Sequence, residues 1–325
     1  MKFFVITIVF ALTLCSCLRS EGQESQTEIR ETSANYSGPI IDMHIHAFKD
    51  NPGFATMLGQ EMPPRPGMEG LTPYTAPASY EEVKRKTFEE FKKHHIVKAM
   101  ASPGINWYDE APETIIIGAD HTVPVAELRK RYQDGRLHVL AEIAPNYDGL
   151  LPTHPSLEPY YDLAVELQIP MGFHLFPGGP QGGAYGPYPK VRASQGKPLQ
   201  FEEILLERPS MKIYIMHAAW PYLEDLKALM YAHPQVYVGV GVICWNLPRE
   251  EFHSYLKGLI EAGLGKRVMF GSDQMIWPET IETGIKAINS ADFLTPEQKE
   301  DIFYNNAARF LELSPEEIER HKAQY

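Results

Sequence analysis

One local pattern recurs along the chain: a short apolar run ends in a residue able to hold a metal, and small or turn-forming residues follow. It appears at 39–46, where Pro39-Ile40-Ile41 leads into Asp42-Met43-His44-Ile45-His46, and again at 170–174, 212–217 and 267–273, ending in His174, His217 and Asp273. A further run, 136–142, ends in Glu142. Runs that are apolar throughout, rather than alternating, read as strands buried on both faces, the kind found in parallel sheets covered by helices. Chemistry-bearing residues at their C-terminal ends point to a barrel, which gathers those ends on one face.

Eight such strands can be placed, at 39–46, 96–102, 114–119, 136–143, 170–176, 212–218, 236–243 and 267–273. Helical segments fall between and after them, at 80–94, 123–132, 157–168, 201–206, 222–232, 250–262, 281–287 and 296–313. This alternation predicts an α/β fold, the (β/α)8 TIM barrel, which takes ~250 residues. With 44% hydrophobic residues in a chain of 325, there is material for one large core. The net charge of -12 argues against a nucleic-acid partner, because no basic stripe is present to neutralise phosphates.

On a strand, His44 and His46 project to one side while Met43 and Ile45 pack on the other. By themselves they fit two solvated histidines on an edge strand as well as half of a metal site. The matching ends of the other strands favour the metal site.

The first residues stand apart from the barrel. Lys2 precedes an apolar stretch at 3–14 that is too short to span a bilayer, the layout of a secretory signal peptide, here 1–16. Leu14-Cys15-Ser16-Cys17 resembles a bacterial lipobox, which implies Cys17 as the lipidated first residue of an exported cell-envelope lipoprotein. The expected contact with the membrane is that lipid anchor alone. Residues 17–38 are polar and read as a flexible tether, leaving 39–325 as the barrel domain. Cys244 is then the only thiol in the folded domain, so no disulfide framework is expected.

Asp-x-His-x-His on the first strand, His174 on the fifth, His217 on the sixth and Asp273 on the eighth together resemble the amidohydrolase superfamily of metal-dependent barrels, over roughly 39–313. Softer features, Gly271-Ser272-Asp273 followed by Trp277-Pro278 and Asn305-Asn306-Ala307-Ala308-Arg309, resemble its amidohydrolase-related branch, amidohydrolase 2, which holds hydrolases and nonoxidative decarboxylases. The resemblance implies one or two divalent ions, Zn2+ or another metal. His44, His46, His174 and Asp273 would be ligands, His217 a ligand of a second ion or a catalytic acid/base, and Asp273 the catalytic proton acceptor. Imidazole and carboxylate suit Zn2+ at ~2.0–2.2 Å.

Glu142 adds to that pattern, because two-metal members place a bridging carboxylate at the end of the fourth strand. As a ligand it would join His44, His46 and Asp273 around one ion and His174 and His217 around the other, which favours hydrolysis. The alternative is an acid that supports the ligands or faces the substrate.

All four tryptophans, Trp107, Trp220, Trp245 and Trp277, closely follow the second, sixth, seventh and eighth strands. They predict an aromatic-walled mouth for an apolar or ring-bearing small molecule, unless they only seal loops onto the barrel. The irregular segment 177–198 reads as a lid or binding loop. Its cations are Lys190 and Arg192, either able to meet a substrate carboxylate, although solvation is the plainer reading. His94, His95, His138, His154, His233, His253 and His321 fall away from the catalytic face, whereas His121 is the one loop histidine that stays a candidate. The expected activity is metal-dependent hydrolysis of an amide, lactone or ester. The alternative is one-metal decarboxylation, with His217 and Asp273 handling protons.

Overall fold

The computed structural model of the chain describes residues 34–62, 73–177, 185–186 and 188–325. The expected leader 1–16, Cys17, most of the tether, and 178–184 and 187 of the long loop lie outside the described residues. Eight strands run in sequence order: β1 (Ile40–Ile45), β2 (Ile96–Ala101), β3 (Ile115–Ala119), β4 (Val139–Ile143), β5 (Met171–His174), β6 (Ile213–Met216), β7 (Val236–Gly239) and β8 (Val268–Met269). Each pairs in parallel with the next. The two ends of the sheet meet where Met43 N–H donates to Phe270 O at 2.9 Å and Asp273 N–H to His44 O at 2.7 Å. The fold is a (β/α)8 barrel.

Burial explains the continuous apolar runs. Every residue of β1, β5 and β6 is buried, because one face of each strand meets the barrel interior and the other meets helices. Tyr214 fills the interior, and its hydroxyl donates to Met43 O at 3.2 Å. A Cβ at Gly172 would come within 2.5 Å of that ring, so the neighbouring strand needs glycine there. Below it, Phe310 meets Tyr214 edge-on at 5.4 Å and helps close the floor. The helix Tyr80–Lys93 shows why the outer layer forms: Ser79 caps it by accepting from Glu82 N–H, and acidic residues open it while lysines close it.

Four sequence expectations change in detail. The strand expected to reach 243 ends at Gly239, and Ile243–Asn246 is a short helix after Val242, whose φ of 57° is incompatible with an extended chain. β8 is only Val268–Met269, since the chain turns to bring Asp273 inward. The expected helix 296–313 is broken by a π turn at Asp301–Asn305, followed by Asn306–Phe310. Asn306 is thereby turned inward, where its amide donates to Gly265 O and Val268 O at 2.8 and 2.7 Å. A further helix, Pro315–Lys322, follows Ser314, whose side chain accepts from Glu317 N–H. The end of the expected tether is also folded. Tyr36 stacks on Phe303 at 5.4 Å, and its N–H donates to Asn289 Oδ1 at 2.9 Å.

Candidate metal centre

Side chains from five strand ends converge at the C-terminal mouth. His44 lies on β1 and His46 just after it, Glu142 on β4, His174 at the end of β5, His217 directly after β6, and Asp273 on the turn after β8. Asp42, the first residue of the motif, has a structural role. Its buried Oδ1 accepts from His44 N–H at 3.0 Å and from Ser272 N–H at 2.9 Å, tying β1 to the turn that carries Asp273. Gln274 repeats that link, its amide bonding both His46 N–H (2.7 Å) and His46 O (2.9 Å). Asp273 itself has φ 52°, and Trp245 Nε1–H braces the turn by donating to Ser272 O at 2.6 Å. A Cβ at Gly241 would lie 3.0 Å from His44 Nδ1 and 3.2 Å from Asp273 Cβ, so the chain just past β7 passes the centre at a distance that suits glycine.

Glu142 divides the cluster. Its Oε2 lies 3.3 Å from His44 Nε2 and 3.6 Å from His46 Nε2, while its Oε1 lies 2.5 Å from His174 Nδ1 and 3.5 Å from His217 Nε2. Asp273 Oδ1 completes the first group, 2.9 Å from His46 Nε2 and 3.5 Å from His44 Nε2. His44, His46 and Glu142, and again Glu142, His174 and His217, offer ligand atoms that all lie within 4.8 Å of one another.

The outer nitrogens reveal which inner ones are free. His46 Nδ1 faces Ser102 O at 3.1 Å and His217 Nδ1 faces Gly241 O at 3.0 Å. A carbonyl only accepts, so each Nδ1 carries hydrogen, and in the neutral ring each Nε2 turns a lone pair toward the cluster. That is how a protein fixes imidazoles for a metal. Asp273 Oδ1 is buried and accepts no hydrogen bond despite its neighbours. An orphaned carboxylate oxygen opposite lone pairs fits a cation. These donors fit a divalent ion of the zinc or manganese kind.

Electrostatics agrees. Burial pushes the Glu142 and Asp273 carboxyls up, but His44 and the other histidines outweigh it, holding Glu142 well below the usual range and Asp273 at about 2. For His44, burial acts downward and the charges of Asp273 and Glu142 act upward, with a net rise. Burial pushes Asp42 up to about 6, outweighing the hydrogen bonds from Ser272 and His44 and the charge of His44.

A cavity of about 440 Å3 opens onto His46 and Glu142 between the loops after β1, β2, β3 and β4. Phe48, Ser102, Asn106, His121 and Tyr147 line it, with Lys49, Asp50, Asp120 and Asp148 among its charged residues. Phe48 stacks on His46 at 4.7 Å. His121, the loop histidine left as a candidate by the sequence, is among the residues of this cavity. Its Nδ1 is buried without a hydrogen bond, and burial pulls its pKa down.

None of the four tryptophans is among the described residues of this cavity. Trp107 is buried against Phe88 in the helical layer, Trp245 supports the Asp273 turn, and Trp277 packs edge-on to Phe54. Trp220 lies 5.9 Å from Phe176, which is itself 5.4 Å from His217. Arg192 donates to its own loop, at Pro189 O (2.9 Å) and Val191 O (2.8 Å), instead of facing the cavity. The residues that sequence reasoning missed are Phe48, Ser102 and Tyr147. They lie just past strand ends, where side-chain direction has no sequence period.

A parallel barrel gathers four imidazoles and two carboxylates at its mouth, a donor set that could hold a metal ion. The amidohydrolase family model matches residues 41–313, and the chain belongs to that family. Among solved structures it resembles 5-carboxyvanillate decarboxylase from Sphingomonas paucimobilis, with TM-score 0.57 and 13% identity over 85% of this chain and 99% of that one. It also resembles a probable 2-pyrone-4,6-dicarboxylic acid hydrolase from Acinetobacter baumannii, with TM-score 0.56 and 16% identity over 84% and 99%. A third is 5-carboxyvanillate decarboxylase from Novosphingobium aromaticivorans in complex with manganese, with TM-score 0.53 and 12% identity over 87% and 99%. The curated protein fluG of Emericella nidulans is 19% identical over 139 residues, 38% of this chain, and the match spans only 16% of fluG's length.

Proposed function

We propose that the protein is a metal-dependent hydrolase of an amide, lactone or ester of a small, apolar or ring-bearing molecule. The observation that carries this reading is the split of Glu142: one carboxylate oxygen faces His44 and His46, the other His174 and His217. A bridging carboxylate of this kind suits two cations ~3.5–4 Å apart, a design for activating water. His44, His46 and Asp273 would hold one ion and His174 and His217 the other, with Zn2+ or Mn2+ as the fitting metals. A bound divalent ion supplies a water acidified toward neutral pH and a Lewis acid for the carbonyl.

The chain's own groups do the rest. Asp273, kept ionised among the histidines, is a carboxylate in the state a general base needs. Phe48 and Tyr147 line the cavity and give it aromatic surface for the substrate. The charges of the cavity favour this reading over decarboxylation. Among its described lining residues Asp50, Asp120 and Asp148 outnumber the cation Lys49, a poor approach for an aromatic carboxylate. We further propose that the enzyme is exported and anchored through Cys17, on the sequence of 1–17 alone. Among the described residues no helix is long and apolar enough to cross a membrane.

The test is purified protein loaded with Zn2+ or Mn2+ and offered two panels: small esters, lactones and amides, and hydroxylated benzoic acids. Hydrolysis that EDTA abolishes and metal restores supports the proposal. Carbon dioxide release from the acids, without turnover of the first panel, would replace it with the decarboxylase reading.

A further inference from the structure

Tyr147 stands in the turn Pro145–Asp148 just after β4 and lines the cavity. Its hydroxyl lies 3.2 Å from His174 Nε2. On the other edge of the same imidazole, Nδ1 faces Glu142 Oε1 at 2.5 Å and His217 Nε2 at 3.0 Å. The phenol ring is held by Tyr188, stacked with centroids 4.1 Å apart and planes 12° from parallel.

These positions constrain the hydrogens. An imidazole that gives its Nδ1 lone pair to a cation must carry its proton on Nε2. That N–H can only donate to Tyr147 Oη, so the hydroxyl hydrogen must point elsewhere. Among the described residues Tyr147 Oη has no second hydrogen-bond partner, and the ring borders the cavity.

We infer that Tyr147 is a substrate-contacting residue whose O–H, turned outward by His174 Nε2–H, donates to the oxygen that gathers negative charge when an acyl group is attacked. The inference rests on the metal-dependent reading, because a bound ion is what places the His174 proton on Nε2. A donor held by Tyr188 and His174 is oriented before substrate arrives, and a single preorganised donor of this kind contributes roughly 100-fold to 1,000-fold in kcat.

The experiment compares zinc-loaded wild-type protein with Tyr147→Phe, and with Tyr188→Phe as the control that keeps the stacked rings. Metal content, hydrolysis of p-nitrophenyl acetate and calorimetric binding of acetohydroxamate are measured. Tyr147→Phe is expected to keep its metal, to lose about 100-fold in kcat with little change in KM, and to bind acetohydroxamate about tenfold more weakly. Tyr188→Phe should match the wild type in all three. Wild-type acetohydroxamate affinity in Tyr147→Phe overturns the inference, and so does loss of its metal, which would leave Tyr147 only orienting His174. A wild-type protein that binds metal and acetohydroxamate but hydrolyses no ester counts against the hydrolase reading, while the affinity of Tyr147→Phe still decides the role of Tyr147. A protein that takes up no metal overturns both.

Discussion

His46 Nε2 lies 2.9 Å from Asp273 Oδ1, yet that oxygen accepts no hydrogen bond. The reason is on the far side of the ring, where His46 Nδ1–H is committed to Ser102 O, so a neutral His46 has no second proton to give. Two lone pairs brought together by β1 and the turn after β8 repel each other unless a metal ion or a proton is held between them.

Glu142→Gln should lower bound metal from about two ions per chain toward one, because a neutral amide cannot offset the charge of two dications. Metal analysis by mass spectrometry of wild type and variant, purified alike, measures this. Unchanged stoichiometry would point to a single ion and free His217 to act as an acid or base.

Metal uptake should release protons and weaken as pH falls. In the metal-free centre His44 has a raised pKa, since Asp273 and Glu142 more than offset the effect of burial. A ligand must be unprotonated, so falling pH places a proton in competition with the ion. Titration calorimetry near neutral pH in buffers of different ionisation enthalpy reads the proton count. Heats that do not depend on the buffer would refute it.

Asp42→Ala should destabilise the fold by about 2–6 kcal/mol, because two buried N–H groups, of His44 and Ser272, lose their acceptor at ~1–3 kcal/mol each. Asp42→Asn keeps an acceptor oxygen at Oδ1 and should lose clearly less. Urea unfolding of the metal-free proteins separates the two. Equal losses would show that these two bonds are not what Asp42 contributes.

Cys244 should resist alkylation in the native protein. It is 1% exposed, burial pushes its thiol up, and the reactive species is the thiolate. Iodoacetamide labelling mapped by peptide mass spectrometry should find Cys244 modified only after denaturant is added. Modification at the rate of an exposed thiol would contradict the packing around β7 and β8.

Much of the barrel could be read from the chain because its signals are local. The strands that begin at Ile40, Met171 and Ile213 open on apolar residues and are buried at every position, as strands covered on both faces are, and the period of two set His44 and His46 on one side. Periodicity failed where the chain leaves a strand. His217 and Asp273 enter the centre through left-handed backbone, φ 61° and 52°, conformations that no pattern of residue types announces. The tryptophans show the same limit: each follows a strand, yet Trp107 turns out to Phe88 and Trp245 to Ser272, according to which neighbour offers a pocket or an acceptor.

The sequence by itself determined which residues could serve as ligands and, through strand order, that their ends would share one face. The tertiary structure decided how those side chains are used. Ser102 O and Gly241 O, contributed by strand ends far away in the chain, fix the tautomers of His46 and His217, and Tyr147 claims the outer nitrogen of His174. Hydrogen bonds of that kind depend on distance and angle between groups that only the closed barrel brings within 3.2 Å.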